Sequence, residues 1–283
     1  MNKNYLHQDI YEMAAKALNR NYTLMRIKQL KIFSILVLAG LVSCNQDNII
    51  VNWEKLFQDN SVTGTFVLKD VNASTTLIYN KERSNKEFVP ASTFKILNSM
   101  IALQVSSIAS VNDTIKWDGV EREFKPWNKD QTMKSALPIS CVWFYQELAR
   151  RTGEKQMQFW LTESDYGNKK IENNIDKFWL EGNLAISANE QIDFLEKLIK
   201  DELPFDKDIQ KTVKEIMITD STKNYVIHSK TGWSKGIGWN VGYVETKGNI
   251  WIFAMNIDIN DIKMANVRKT ITYDILRKQK IIE

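Results

Sequence analysis

Apolar residues recur along this chain in three registers, and the places where the register changes mark its organisation. Ile32 to Leu41 is an unbroken apolar run. Val62 to Asp70 and Ser74 to Tyr79 are rich in β-branched and aromatic residues, and Val71-Asn72-Ala73 between them predicts a hairpin. From Ser92 to Val105, Phe94, Ile96, Leu97, Met100, Ile101 and Leu103 leave almost no polar face, which predicts a helix buried in the middle of the fold. Helical periodicity continues to about residue 200, including Val142 to Arg151 and Glu190 to Ile199, with a Trp-rich connection from Trp117 to Trp127. Strands then return at Tyr225 to Lys230, Gly238 to Glu245 and Ile250 to Ile257. Thr246-Lys247-Gly248-Asn249 is the hairpin turn between the last two, and Asp261 to Lys278 closes the chain as a helix.

A strand pair, a long helical stretch, three more strands and a final helix define an α+β class. The expected architecture is a central antiparallel sheet built from both chain ends, with flanking helices and a largely helical insertion. A cleft then falls between sheet and insertion. No internal repeat or interdomain linker interrupts the pattern.

The N-terminal region reads differently. Arg26, Lys28 and Lys31 precede the apolar run, small residues follow it, and the run is too short to span a bilayer comfortably, as in an export signal. It ends Leu41-Val42-Ser43-Cys44, which resembles the lipobox of bacterial lipoproteins, so Cys44 is the expected lipidation site and the only link to a membrane. Met25 offers a second start. The expected boundaries are residues 1–24 as a possible upstream extension, 25–43 as export signal, 44–52 as tether and 53–283 as the catalytic domain. Six of the 38 basic residues and two of the 34 acidic ones lie in the first 43 positions, so the remainder is formally neutral. That balance argues against nucleic acid as a partner.

Ser92-Thr93-Phe94-Lys95 places a hydroxyl and an amine one turn apart on one helix face, where the lysine nitrogen can take the serine proton. Lys230-Thr231-Gly232 on a strand supplies a cation, a hydroxyl donor and a position without a side chain, against which an acidic substrate can lie. Ser140-Cys141-Val142 stands between them. Taken alone, Ser92 reads equally well as a helix N-cap and Lys95 as a solvated first-turn residue; the order of the motifs favours acyl transfer. His228 near Lys230 invites a serine–histidine triad, but no Gly-x-Ser-x-Gly elbow surrounds any serine, so a strand histidine turned from the cleft is expected. With Cys44 lipidated, Cys141 is left as a small buried hydrophobe without a disulfide partner, and one remaining histidine argues against a metal site.

These motifs, with Tyr166-Gly167-Asn168, Phe178-Trp179-Leu180-Glu181-Gly182 and Trp239-x-x-Gly242, resemble those of class D β-lactamases, the oxacillinase group of penicillin-recognising serine enzymes. Class A enzymes are similar at Ser-x-x-Lys and Lys-Thr-Gly but carry Ser-Asp-Asn in the middle. The resemblance implies an exported hydrolase of β-lactam antibiotics that confers resistance, with Ser92 as nucleophile and Lys95 as base. An ordinary lysine, with a pKa of about 10.4, is protonated near neutrality. Phe94, Val142, Trp179 and Leu180 around it would penalise the charged form. The resemblance further implies that Lys95 is carboxylated by carbon dioxide and that the indole of Trp179 holds the carbamate; no other cofactor is implied. Ser140 would pass the proton to the leaving nitrogen, and Lys230 would hold the hydroxyl network positive. Ser92 and Trp233 would supply oxyanion-hole amides. Thr231, beside Gly232, and Arg268 on the last helix would bind the substrate carboxylate. Two alternatives share the motifs: a β-lactam-sensing receptor domain and a penicillin-binding transpeptidase or carboxypeptidase. The receptor is disfavoured by the single short apolar run and the lack of a His-Glu-x-x-His segment, the transpeptidase by Val142 with Trp179. The sequence leaves the oligomeric state and the host open.

Overall fold

The computed structural model describes residues 47–283 apart from Asn173 and Asn260. The expected export signal, the upstream extension and Cys44 lie outside the described residues. Seven strands form one sheet in the order β1-β3-β2-β7-β6-β5-β4. They are β1 Asp47–Ile50, β2 Gly64–Asp70, β3 Thr75–Tyr79, β4 Ile218–Ser221, β5 Tyr225–Ser234, β6 Ile237–Thr246 and β7 Asn249–Asp258. The sheet is indeed assembled from both chain ends, joined where β2 pairs with β7 from Gly64↔Ile257 to Asp70↔Trp251.

Two expectations are corrected. The sheet is mixed rather than antiparallel, because β1 runs parallel to β3 from Asp47↔Thr75 to Ile50↔Ile78. Part of the expected tether is thus a strand: Ile49 and Ile50 add to the free edge of β3 while their side chains stay exposed, so burial left no alternating pattern to read. The second correction is at the other edge. Four strands follow the helical region instead of three, the extra one being the short, mostly exposed β4, whose pairing with β5 shifts register between Ile218 and Asp220. A polar, bulged edge strand resists further pairing but carries little sequence signal.

Both sheet faces are covered. Phe253, Met255 and Ile257 of β7 pack on one side with Phe66, Ile271, Ile275 and Leu276, the last three positions belonging to helix α9 (Val267–Lys278). Ile252 and Ala254 point to the other side, into a larger core with Val67, Val241, Leu97 and Ile101. This explains why the strands read as continuous apolar runs although their pairing is antiparallel. The buried central helix α3 spans Lys95–Gln104 and begins only after a 3₁₀ turn, Ala91–Phe94, so the expected single helix from Ser92 is split at its first turn. Helix α5 (Val142–Thr152) and helix α7 (Ala188–Ile199) close the insertion around it. Helix α7 starts on a capping box, Ser187 accepting from the Glu190 amide and Glu190 from the Ser187 amide. Helix α8 (Lys207–Ile216) lies beyond the point where helical periodicity was expected to fade.

Candidate active site

The turn that carries Ser92 is conformationally unusual. Pro90 has its ordinary φ of −69°, but Ala91 has φ 51°, a left-handed conformation that costs a residue with a Cβ about 1–2 kcal/mol. In the 3₁₀ geometry residues three apart eclipse, so the pairing expected of a helix survives the change of helix type. Lys95 Nζ donates to Ser92 Oγ at 2.8 Å. The lysine side chain is fully buried, and burial pulls its pKa down from 10.5 to about 7. Its Nζ lies 5.3 Å from the centre of the Tyr145 ring. Phe94 packs on Trp179 with ring centroids 5.4 Å apart, and both are inaccessible to solvent. Val142 and Leu180 are half-buried. Tyr145 was missed from sequence, although its spacing of three from Val142 on α5 was the available signal.

Lys230 meets this pair from the sheet. Its amine is buried, donates to Ser140 Oγ and donates to the Thr231 carbonyl at 2.8 Å. Burial, then Lys95, Arg268 and Lys269, push its pKa well below 10.5. Ser140 has φ 54°, so the turn before α5 aims its hydroxyl under similar backbone strain. Two strand positions beyond Lys230, a Cβ at Gly232 would stand 2.9 Å from the Pro90 carbonyl and 3.2 Å from the Ser92 nitrogen. Only glycine lets β5 run flush against the backbone of Ser92.

Arg268 reaches the same strand from α9. Its Nη1 donates to the Gly232 carbonyl and its Nε to the Ala265 carbonyl at 2.6 Å. It is nearly buried, and burial lowers its pKa to about 10, still above neutrality. Trp233 is 39% exposed at the mouth of the cleft, with its indole donating to Ile259 at 3.3 Å. The structure therefore brings Ser92, Lys95, Ser140, Lys230, Gly232 and Arg268 together from distant parts of the chain. No carboxylate pairs with Lys95, Lys230 or Arg268 among the described residues. The arrangement can deprotonate a hydroxyl, hold an anion and protonate a leaving group.

The remaining motifs brace the cleft. Gln191 of α7 donates to Thr93 Oγ1 at 3.0 Å and to the Tyr166 hydroxyl at 3.3 Å. Asn168 holds the loop after Trp179 by donating from Nδ2 to Asn183 at 2.8 Å and accepting from the Ala185 amide at 3.1 Å. Gly167 takes φ 53° there, with Ala185 so close that a Cβ would collide. Phe88 and Ile186 exchange two backbone bonds, at 3.0 and 2.9 Å, which ties this loop to the segment leading to Ser92. The Trp179 indole N–H is buried and has no hydrogen-bond partner among the described residues.

His228 shares a strand face with Lys230 by alternation, yet it takes no part in the site. Its Nδ1 lies 2.8 Å from the Lys214 carbonyl and its ring stacks on Tyr243 at 4.3 Å. Cys141 is buried and unpaired, and burial raises its thiol pKa to about 11, so it is an inert filler.

The sheet with its helical insertion, and a Ser-x-x-Lys turn facing a Lys-Thr-Gly strand, define a penicillin-recognising serine enzyme. Residues 59–277 match the family described as the penicillin binding protein transpeptidase domain. Among curated relatives, the chain is 43% identical over 235 residues to "probable beta-lactamase YbxI" of Bacillus subtilis (strain 168), covering 82% of this chain and 86% of the relative. It is 41% identical to β-lactamase OXA-48 of Klebsiella pneumoniae, covering 82% of this chain and 89% of that protein. The crystal structure of FUS-1 (OXA-85), a class D β-lactamase from Fusobacterium nucleatum subsp. polymorphum, superposes with a TM-score of 0.79 at 38% identity, over 81% of this chain and 98% of that one. The chain belongs to the class D serine β-lactamases and is a β-lactam hydrolase.

Proposed function

We propose that hydrolysis proceeds through an acyl-enzyme on Ser92, with Lys95 as the base for both its formation and its breakdown. The observation that carries this reading is a fully buried lysine, poised near neutrality, 2.8 Å from the serine hydroxyl. Carboxylated Lys95 takes the Ser92 proton as the oxygen attacks the lactam carbonyl. The backbone amides of Ser92 and Trp233 receive the developing oxyanion. The hydroxyl of Ser140, whose partner is Lys230, delivers a proton to the lactam nitrogen as the C–N bond breaks. Thr231 and Arg268 hold the substrate carboxylate, Arg268 from a position already fixed by the Gly232 and Ala265 carbonyls.

Deacylation needs a base that activates water, and carboxylation of Lys95 supplies an anionic one. The amine adds to carbon dioxide and releases one proton, which only a neutral amine can do. The residues present fit such a group. The pocket disfavours the ammonium form, and Trp179 brings a buried indole N–H that lacks an acceptor among the described residues. Export, lipidation at Cys44 and a role in antibiotic resistance complete the proposed reading, since the substrates of a β-lactamase are met outside the cytoplasm. Labelling with a fluorescent penicillin tests the centre of it. Ser92→Ala should abolish the labelled band, and a band retained at another serine would remove the assignment.

A further inference from the structure

We infer that Trp239 is a positioning residue for acylation: its indole N–H, bonded to the Val89 carbonyl, holds the left-handed turn at Ala91 that aims the Ser92 amide into the oxyanion hole. The inference rests on the reading of Ser92 as nucleophile and adds a determinant of its geometry.

Trp239 lies on β6, is inaccessible to solvent, and donates to Val89 at 2.9 Å across 150 positions of sequence. Tryptophan in a core usually serves packing alone, and a buried N–H must then find whatever acceptor is near. Here the acceptor is the backbone two residues before the strained position. Pro90 carries no N–H and its carbonyl is taken within the turn by Thr93, so the Val89 carbonyl is the upstream backbone group that β6 grips. The strained residue is also spanned by bonds within its own turn. The Pro90 carbonyl accepts from the Thr93 amide at 3.2 Å and from Thr93 Oγ1 at 2.8 Å, and Thr93 Oγ1 accepts from Gln191. Strand β5 closes the third side at Gly232, where an added Cβ would press on the Pro90 oxygen and the Ser92 nitrogen.

A positive φ on alanine persists only where its surroundings over-determine it. Without the grip on Val89, Ala91 can relax toward negative φ. That rotation turns the following peptide unit, whose N–H belongs to Ser92, away from β5. The substrate carboxylate site at Arg268 is unaffected by it. The loss therefore falls on the rate of acylation, not on binding.

The test is a double-mutant cycle on the full-length enzyme. Single-turnover acylation by a penicillin is measured together with the dissociation constant of the preceding complex, and peptide mass spectrometry locates the acyl group. Trp239→Phe should slow acylation about tenfold with the dissociation constant unchanged, a fraction of the 10²–10³ lost when an oxyanion donor is deleted outright. In the Ala91→Gly background, where positive φ carries no steric penalty, the same substitution should cost less than about threefold. Thr93→Val loosens the turn from within, should show the same rescue, and stands in if Trp239→Phe does not fold. An equal loss in both backgrounds, an unchanged acylation rate, or a loss confined to the dissociation constant would each overturn the inference while the acyl group remains on Ser92. An acyl group found on another residue would overturn the nucleophile assignment and this inference together.

Discussion

Ser234 Oγ donates to the Leu180 carbonyl at 2.6 Å, so the end of the Lys-Thr-Gly strand is bonded directly to the loop that carries Trp179. Catalytic strand and lysine pocket are thereby held in register by one hydroxyl. Ser234→Ala removes a neutral hydrogen bond worth about 0.5–1.5 kcal/mol. We expect acylation and deacylation to slow together by a few-fold, because the loop bears on the Lys95 pocket, whose base serves both steps. Pre-steady-state measurement of both steps decides it, and an effect on acylation alone would contradict the assignment.

The unpartnered indole of Trp179 gives a sharper expectation. Trp179→Phe keeps an aromatic ring against Phe94 and removes only the donor. Losing a hydrogen bond to an anion costs about 1.5–3 kcal/mol, or roughly ten- to a hundredfold in the carboxylation equilibrium. Turnover should drop accordingly and recover as bicarbonate is raised, and the carbon-13 signal of the carbamate should weaken in parallel. Full activity without that signal would remove carboxylated Lys95 from the mechanism.

The two buried amines set a pH dependence of stability. Lys95 ionises near 7 in the fold and near 10.5 when unfolded, and Lys230 is displaced in the same direction. Between those values the unfolded chain holds more protons than the folded one, so stability must rise with pH. The slope is about 1.4 kcal/mol per pH unit for each amine neutral only in the fold. Urea unfolding from pH 7.5 to 8.5 in carbon-dioxide-free buffer stays below the tyrosines, and the Cys141 thiol, which ionises at about 8.5 once unfolded, contributes equally to the parent and to Lys95→Met. Lys95→Met should remove one amine's share of the slope; an unchanged slope would mean that Lys95 stays protonated in the fold.

Arg268 is fixed before substrate arrives, which predicts a contact made equally in ground and transition states. Arg268→Ala should raise KM about tenfold for carboxylate-bearing penicillins and change kcat by no more than about threefold. An unchanged KM would place the carboxylate site elsewhere.

The motifs made the centre of the site legible because each lies within one turn or one strand. Ser92 with Lys95, and Lys230 with Gly232, are local patterns whose geometry follows from helix or strand spacing. Arg268 belongs to no short motif; its place depends on how α9 crosses β5 and β6, which tertiary packing decides. Tyr145 and Gln191 read as ordinary helix residues for the same reason. In the fold, the buried strands and helices were readable from their apolar runs. Strands β1 and β4 escaped because edge strands are specified by backbone pairing with a neighbour and bury few side chains of their own. Helix α8 was lost to a polar stretch, although Ile209, Val213 and Ile216 carry its periodicity.

The pairing of β2 with β7 has a consequence for how the molecule is made. These two strands meet in the middle of the sheet, yet one is synthesised near the start of the domain and the other almost at its end. A nascent chain can close the β2–β3 hairpin early, but that hairpin cannot cover its inner edge until β7 has emerged. Contact order is therefore high and folding correspondingly slow. A chain destined for export would stay unfolded, and catalytically silent, until nearly its whole length had been delivered.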